Sequence, residues 1–384
     1  MAARASTWPI IPAAVAGAAL LALFLHLEAQ WEIALLALVA VAAMVTAARF
    51  GWLARVEVSA AAHPRFALGA TLTAALAVCA LLRDSHFELL MLATVALYVT
   101  ACLGLTLQLG YAGVVNFAGA AFFGIGAYTA AVLMAQSALP HPLVLVAGGV
   151  LAGLIGSALL LPMLRTRGHY AALITIAFGI LFRTFLEVND ALGGPQGLKV
   201  PGLQLAGWSL NDPIALGSGR EASFYLGYTL IALLLATGTF VLVKRLERSW
   251  VGLSLDAVRS DETAAAAFGI DVARWKIMAF TAGNMLAGIA GALYASMAGF
   301  VAPASFNFGD SLLMLSIVLL GGSGNPLGVI PAAVLVVVLP EKLQVIQEYR
   351  LLLFALLVIL LLRFRPEGLL PRRMREYFPG WGRM

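Results

Sequence analysis

This sequence is built from apolar runs of bilayer length, one after another. They cover residues 11–28, 31–48, 66–82, 89–109, 112–135, 142–164, 170–186, 223–243 and 276–298, with shorter runs at 310–321, 326–340 and 351–363. Crossing the hydrocarbon core takes about 20 predominantly apolar residues in a helix. In lipid only helices and closed barrels satisfy their own backbone, and runs of this length read as helices. The expectation is an all-α polytopic membrane protein with ten to twelve transmembrane segments. Charged residues make up 11% of the chain, against about 25% in a soluble domain, which leaves no room for a sizeable soluble domain. The last three runs are interrupted by Gly321, Gly322, Gly324, Pro326 and Pro340, so short or broken helices are expected there.

The net charge of +5 does not read as a nucleic-acid surface, because the basic residues lie at the edges of apolar runs. With the N-terminus inside, eighteen Lys/Arg fall on the inner side and six on the outer. Inner loops of membrane proteins carry this excess. The bias puts 244–276 and the tail from Arg363 in the cytoplasm, and the Gly- and Pro-rich loop 187–222 outside. The opening MAARASTWPIIPAAVAGAALLALFLHL mimics a signal peptide, but Leu27 and Glu28 stand where small residues are wanted, so it reads as an uncleaved first span. Cys79 and Cys102 lie within apolar segments and imply no disulfide framework.

One long charged segment interrupts the apolar pattern: Lys244–Lys276, KRLERSWVGLSLDAVRSDETAAAAFGIDVARWK, with six Lys/Arg and five Asp/Glu. Ser260 is placed to cap a helix, with Asp261 and Glu262 in the first turn, where carboxylates suit the dipole. Ala264–Ala267 are good helix formers. Gly269 then supplies a C′ residue and Ile270 a hydrophobic C″ partner. A bare linker has no need of caps at both ends. A short capped helix between two spans is suited to receive force from a soluble partner.

The second informative stretch is Leu109–Leu133, LGYAGVVNFAGAAFFGIGAYTAAVL, where Gly110, Gly113, Gly119, Gly124 and Gly126 are denser than an isolated helix favours. Each glycine costs about 1 kcal/mol against Ala in a helix interior. In a membrane such residues let helices approach closely or let the backbone open toward a cavity. Close packing alone accounts for any single one of them. The runs GGVLAGLIGS at 148–157 and TAGNMLAGIAGALYA at 281–295 are most simply packing faces. Gln108, Asn116 and Asn284 are the polar candidates at depth. An unpaired amide in hydrocarbon is costly, so Asn116, with Tyr111, Phe117 and Tyr128 around it, is the candidate lining of a translocation pathway.

The absences also constrain function. The spans hold almost no ionisable residue, whereas proton-coupled carriers and voltage sensors need buried Asp, Glu, His or Arg. The five histidines are scattered without metal-ligand spacing, and no cofactor or metal is called for. GGPQGLK at 193–199 is no phosphate-binding loop, since no Gly immediately precedes Lys199 and no Ser or Thr follows it. If ATP drives this protein, another chain binds it.

At these residues the chain resembles the permeases of ABC importers for branched-chain amino acids, the LivM type. Gly252, Ala257, Arg259, Glu262, Ala264, Ala265, Gly269, Ile270 and Lys276 match that family's cytoplasmic loop. Gly110, Tyr111, Gly113, Ala120–Phe123 and Ile125–Tyr128 match its G-Y-x-G … A-A-F-F-x-I-G-A-Y motif, with Asn116 in place of a common Ser. YAALITIAFGILFR at 170–183 with GGPQGL at 193–198, MLSIVLLGGSGNPL at 314–327 and FRPEGLL at 364–370 resemble further family motifs. The resemblance implies a permease core over 89–371, N-terminal spans at 1–88 outside the matched part, and a basic tail at 372–384. It implies multi-pass insertion in the bacterial inner membrane and no covalent chemistry in this chain. The implied partners are a second homologous permease, two ABC ATPase subunits, a periplasmic substrate-binding protein and membrane lipid. Arg259, Asp261, Glu262, Ala264, Ala265 and Gly269 would form the ATPase-coupling loop. A permease for urea, short amides or other small carboxylates, an ion-coupled secondary carrier, and a polytopic membrane enzyme are the alternatives.

The charge asymmetry gives a direct test. Cysteines introduced within 244–276 should react with an impermeant label only from the cytoplasmic face, and cysteines within 187–222 only from the opposite face. The reverse pattern in intact cells contradicts the orientation.

Overall fold

A computed structural model describes residues 7–27, 29–33, 50–164, 170–205, 207–212, 214–215, 221–342 and 368–370, with isolated positions at 35–46, 349, 352–363 and 372. Most of the expected runs at 31–48 and 351–363, and the tail from 373, lie outside the described residues. The first helices are α1 (Ile10–His26), α2 (Trp52–Ala62), α3 (Pro64–Leu81), α4 (His86–Leu105), α5 (Gly119–Gln136), α6 (His141–Met163) and α7 (Tyr170–Val188). The others are α8 (Tyr225–Glu247), α9 (Trp250–Ser260), α10 (Glu262–Ala267), α11 (Val272–Ala298), α12 (Phe308–Gly321) and α13 (Pro326–Lys342). Six of them, with α4 extended to Tyr111, are long and apolar enough to cross a membrane: α4, α5, α6, α7, α8 and α11. α1, α3 and α12 are shorter apolar helices. The chain is a multi-pass, all-α membrane protein.

Local signals set the helix ends. Pro64 opens α3 at a position where its missing N–H is not needed. Asp271 accepts from the Arg274 N–H at the start of α11, and Gly299, at φ +70°, closes its far end. Asn307 and Asp310 form a reciprocal capping box on α12. One expectation fails: the run 112–135 is not one helix. It starts as a helix only at Gly119, because Gly113 takes φ +69° and turns the backbone out of the helical region.

The chain forms two units. The first comprises residues 1–93, 210–231 and 341–344. Within it the Glu88 carboxylate meets His26 Nδ1 at 3.1 Å, and Lys342 donates to the Leu25 and Leu27 carbonyls at the end of α1, where a cation suits the dipole. The second unit comprises 94–209, 232–340 and 345–384. Its centre is α5, α6 and α11, packed through small residues. Gly126 of α5 lies directly on the Gly288 backbone of α11, and a Cβ on Gly288 would stand 2.6 Å from Ala152 and 2.7 Å from the Gly148 carbonyl of α6. Gly149 and Gly153 admit Ile289 and Met285 in the same seam. Lipid is as apolar as leucine, so this close contact, and not the hydrophobic effect, holds the helices together. Phe122 adds a ring stacked on Phe178 at 5.2 Å and an edge contact to Phe280 at 5.9 Å.

The Gly- and Pro-rich loop 187–222 carries short strand pairs. In it β1 (Leu198–Lys199) pairs antiparallel with β6 (Phe300–Val301), and β2 (Gln204–Leu205) pairs with β3 (Trp208–Ser209). β4 (Ile214–Ala215) and β5 (Glu221–Ala222) form a pair in the first unit. The glycines of GGPQGL explain the fold-back: Gly193, Gly194 and Gly197 all have positive φ, and Gly197 packs against the Val301 carbonyl.

The three-helix seam predicts that Gly126→Ala, which forces a methyl into the Gly288 backbone, costs about 1–3 kcal/mol as overpacking. A fall of the thermal midpoint in detergent is the readout. Gly179→Ala on α7, where nothing lies within 4 Å, should leave the midpoint unchanged or raised.

Candidate functional site

The site is built around a helix that opens. α4 continues into a π turn, Thr106–Tyr111, in which the Ala112 N–H reaches back to the Leu107 carbonyl. Residues 112–118 are irregular until α5 begins. A break of this kind frees backbone groups, which lipid does not satisfy. Side chains from distant elements satisfy them here. The Phe117 N–H donates to Thr175 Oγ1 of α7 at 3.1 Å, and the Ala120 N–H donates to Ser311 Oγ of α12 at 3.1 Å. The Ala118 N–H donates to Asn116 Oδ1 at 2.8 Å, an Asx turn that leads the chain into α5.

The three polar residues singled out at depth meet at this break. Gln108 Nε2 donates to Asn284 Oδ1 at 2.8 Å and to the Phe280 carbonyl at 3.0 Å. Asn116 Nδ2 donates to Gln108 Oε1 at 2.8 Å and to Asn284 Oδ1 at 3.1 Å. Each of the three is about 1% exposed. Gly283 and Gly156 make the space: a Cβ on Gly283 would stand 2.5 Å from Gln108 Nε2, and Gly156 faces the Asn284 amide. Within this cluster, Asn284 Nδ2 lacks a partner among the described residues.

The other pathway candidates are spread out. Tyr111 is 1% exposed at the end of the π turn, with its hydroxyl unbonded among the described residues. Phe117 is half-buried, 6.5 Å from Phe308 between ring centres. Tyr128 is buried against Phe306 at 6.0 Å, nine residues into α5, which is about 13 Å of helix. It does not share the Asn116 cluster.

The charged loop folds as two helices, where one was expected. α9 buries Gly252, Leu255 and Val258 along one stripe, a pattern hidden by the charges around it. Gly252 is required there, because a Cβ would stand 2.5 Å from the Leu246 carbonyl. Ser260 is not the cap of the second helix; it is the last residue of α9. Asp261, at φ −158° and ψ 110°, caps α10 instead, accepting from the Thr263 N–H at 2.8 Å and the Ala264 N–H at 3.0 Å. An extended backbone at that position ends α9 and frees its carboxylate to reach forward. The far end is as the sequence predicts. Gly269, at φ +80°, donates to the Ala266 carbonyl, and Ile270 donates to the Ala265 carbonyl, which together make a Schellman closure.

The six loop residues face different ways. Ala264 is exposed but Ala265 is only 4% exposed, and the side chain standing out beside them is Phe268, at 88%. Glu262 pairs with Lys276 at 2.6 Å. Arg259 turns inward and donates to the Gly110 carbonyl of the π turn. Burial lowers its pKa, as does the neighbouring Arg372, against an opposing pull from Asp256. Sequence reasoning missed Arg372, which donates to Asp256 through both terminal nitrogens at 2.7 and 2.9 Å and lies 4.0 Å over the Tyr111 ring. Burial is the largest influence and depresses its pKa, but hydrogen bonding to Asp256 together with the charge interactions with Tyr111, Asp256 and Glu247 outweighs it, and the net shift is upward. Among the described residues no group of three His, Cys, Asp or Glu could hold a metal.

A capped charged loop thus rests, through Arg259, on a helix that opens. The family model described as the permease component of the branched-chain amino acid transport system matches residues 88–362. The chain belongs to this family. It is 36% identical over 288 residues to the high-affinity branched-chain amino acid transport system permease protein LivM of Escherichia coli (strain K12), covering 72% of this chain and 68% of the relative. It is 25% identical over 327 residues to the Probable branched-chain amino acid transport permease protein LivM of Methanocaldococcus jannaschii, covering 72% and 91%. A shorter likeness, 35% over 133 residues, links it to the autoinducer 2 import system permease protein LsrC of Klebsiella pneumoniae, covering 32% and 36%. No solved structure matches the chain significantly. The similar proteins are transport permease subunits.

The amide cluster predicts the effect of Asn116→Leu. It strands Gln108 Oε1 and the Ala118 N–H, each worth about 1–3 kcal/mol when left unsatisfied and buried. Thermal melting of the purified chain should fall accordingly. An unchanged midpoint would mean that these bonds do not hold the break.

Proposed function

We propose that this chain is the membrane permease of an ATP-driven importer of branched-chain or similar hydrophobic amino acids in the bacterial inner membrane. The observation that carries the reading is the 36% identity to LivM over 72% of the chain, which spans the charged loop and the broken helix alike. That identity favours amino-acid cargo over urea, short amides or other carboxylates. A core with amides but almost no ionisable group suits a zwitterion with an apolar side chain and disfavours ion-gradient coupling. The chain has no phosphate-binding loop, so ATP is bound by partner subunits. We take the transport core as 89–371, working with a second homologous permease, two ATPase subunits and a periplasmic binding protein that delivers cargo. The pathway runs between the two permeases, near the opening at 112–118. Tyr111, Asn116 and Phe117 shape that region, and Tyr128 lies farther along the chain, in α5.

In this reading α10 is the element that the ATPase subunits grip. A phenylalanine 88% exposed in water, outside the spans, leaves apolar area uncovered, and burying such a ring contributes about 1.5–3 kcal/mol. Aromatic anchors of this kind dominate interfaces. Ala264, exposed one turn earlier, leaves room for close approach, whereas Ala265 is spent inside the loop. Asp261 and Gly269 hold the helix rigid at its two ends.

The test is co-purification and leucine uptake. Phe268→Ala should insert normally, weaken capture of the ATPase subunits about tenfold, and reduce uptake in step. Normal capture and uptake in that variant would remove α10 from the coupling role.

A further inference from the structure

Residues 368–370 and Arg372, counted in the sequence only as the end of a motif and the start of a basic tail, are woven into the site. Gly368, at φ +81°, lies on the backbone of Gly322. The Leu369 N–H donates to the Leu320 carbonyl at 2.8 Å and the Leu370 N–H to the Gly321 carbonyl at 3.2 Å, which satisfies the last carbonyls of α12. Asn325 Nδ2 donates to the Leu370 carbonyl at 3.1 Å. This strap delivers Arg372 across Gly324, where a Cβ would stand 2.7 Å from the arginine Cδ. Gly324 in turn lies against Gly110, 2.5 Å from where a Gly110 Cβ would be.

At its end the guanidinium bridges two structures. It forks onto Asp256 of α9, stacks on the Tyr111 ring, and donates to the Gly110 carbonyl at 3.3 Å, the same oxygen that Arg259 of α9 engages. Its side chain is 7% exposed, and its Nε lies 3.8 Å from Glu247, beyond hydrogen-bond distance. A bidentate fork with ring stacking fixes both position and orientation, which a lysine cannot do. Gln108, the hub of the buried amide cluster, is two residues from Gly110 in the same π turn.

We propose that Arg372 is a positioning residue of the transport cycle: it pins α9 to the Gly110–Tyr111 turn, so that displacement of the charged loop reaches the Gln108–Asn116–Asn284 cluster. The inference rests on the reading that the ATPase subunits act on this loop. A tight contact through one fork transmits displacement; a slack contact lets α9 move while the turn stays still.

Two measurements test it. In the isolated chain, amide hydrogen exchange over 106–118 should rise in Arg372→Ala, and less in Arg372→Lys, while the 126–134 segment of α5 stays protected. Unchanged exchange over 106–118 in both variants overturns the pin. In the reconstituted importer with its ATPase and binding-protein partners, Arg372→Ala should still retain the ATPase subunits, since Phe268 is untouched. Leucine taken up per ATP hydrolysed should drop about tenfold, within the usual range of coupling between sites. Arg372→Lys should show an intermediate ratio, because it keeps the charge and loses the fork. A purely structural role would lower uptake and hydrolysis together and leave the ratio unchanged, which overturns the proposal. Loss of ATPase capture in Phe268→Ala bears only on the docking of α10, so the two ideas fail separately.

Discussion

The arrangement depends on one constraint: a backbone opened in the interior of a membrane protein must find other hydrogen-bond partners, at several kcal/mol for each group left without one. Residues 112–118 impose that demand, and the surrounding elements are placed to meet it. Thr175 on α7 and Ser311 on α12 supply acceptors for the Phe117 and Ala120 N–H groups, while Asn116 Oδ1 accepts from the Ala118 N–H. The Gly110 carbonyl, left over where the π turn ends, takes Arg259 and Arg372. Two arginines of a charged loop and a C-terminal strap are drawn inward for this reason, when surface exposure would leave them free to wander.

Glycine makes the meeting possible, in two distinct ways. Gly110 against Gly324, Gly321 against Gly328 and Gly368 against Gly322 bring backbones into direct contact. Gly113 and Gly269 instead supply left-handed turns, the one opening the broken segment and the other closing α10. Each glycine within a helix forgoes about 1 kcal/mol relative to alanine. Close packing and the hydrogen bonds it permits offset that cost only because several such contacts converge on one place.

What the sequence made legible follows from the range of the interactions involved. The Gly269–Ile270 closure and the capped helix before it are local, and they are found where the pattern puts them. Ser260 and Asp261 are both good caps, and the choice between them was set by α9, whose Gly252, Leu255 and Val258 stripe packs beneath the charges. An apolar run carries no mark of where it stops being helical when its new partners lie far along the chain. Hence 112–135 read as one span, although Gly113 turns the chain and Thr175 and Ser311 take up the N–H groups that the turn frees. Gln108, Asn116 and Asn284 were each conspicuous as amides at depth, but separations of 8 and 168 residues give no register that would assemble them. Arg372 was invisible for the same reason, its carboxylate partner standing 116 residues earlier.

The charged loop therefore has an outer and an inner face of unequal strength. On the outside, six residues of α10 are far too short to be helical alone, and they stay folded through the Asp261 cap and the Gly269 closure. The Glu262–Lys276 pair beside them has a carboxylate side chain 60% exposed, and exposed pairs contribute about 0–1 kcal/mol. Asp256 and Arg372 have side chains only 13% and 7% exposed, and a charge left unpaired at that depth costs several times more. In the proposed coupling, a load applied near Phe268 would have a weak route along the surface and a stiff one through α9 into the π turn. The stiff route ends at the broken helix, whose freed backbone groups depend on side-chain partners from distant elements.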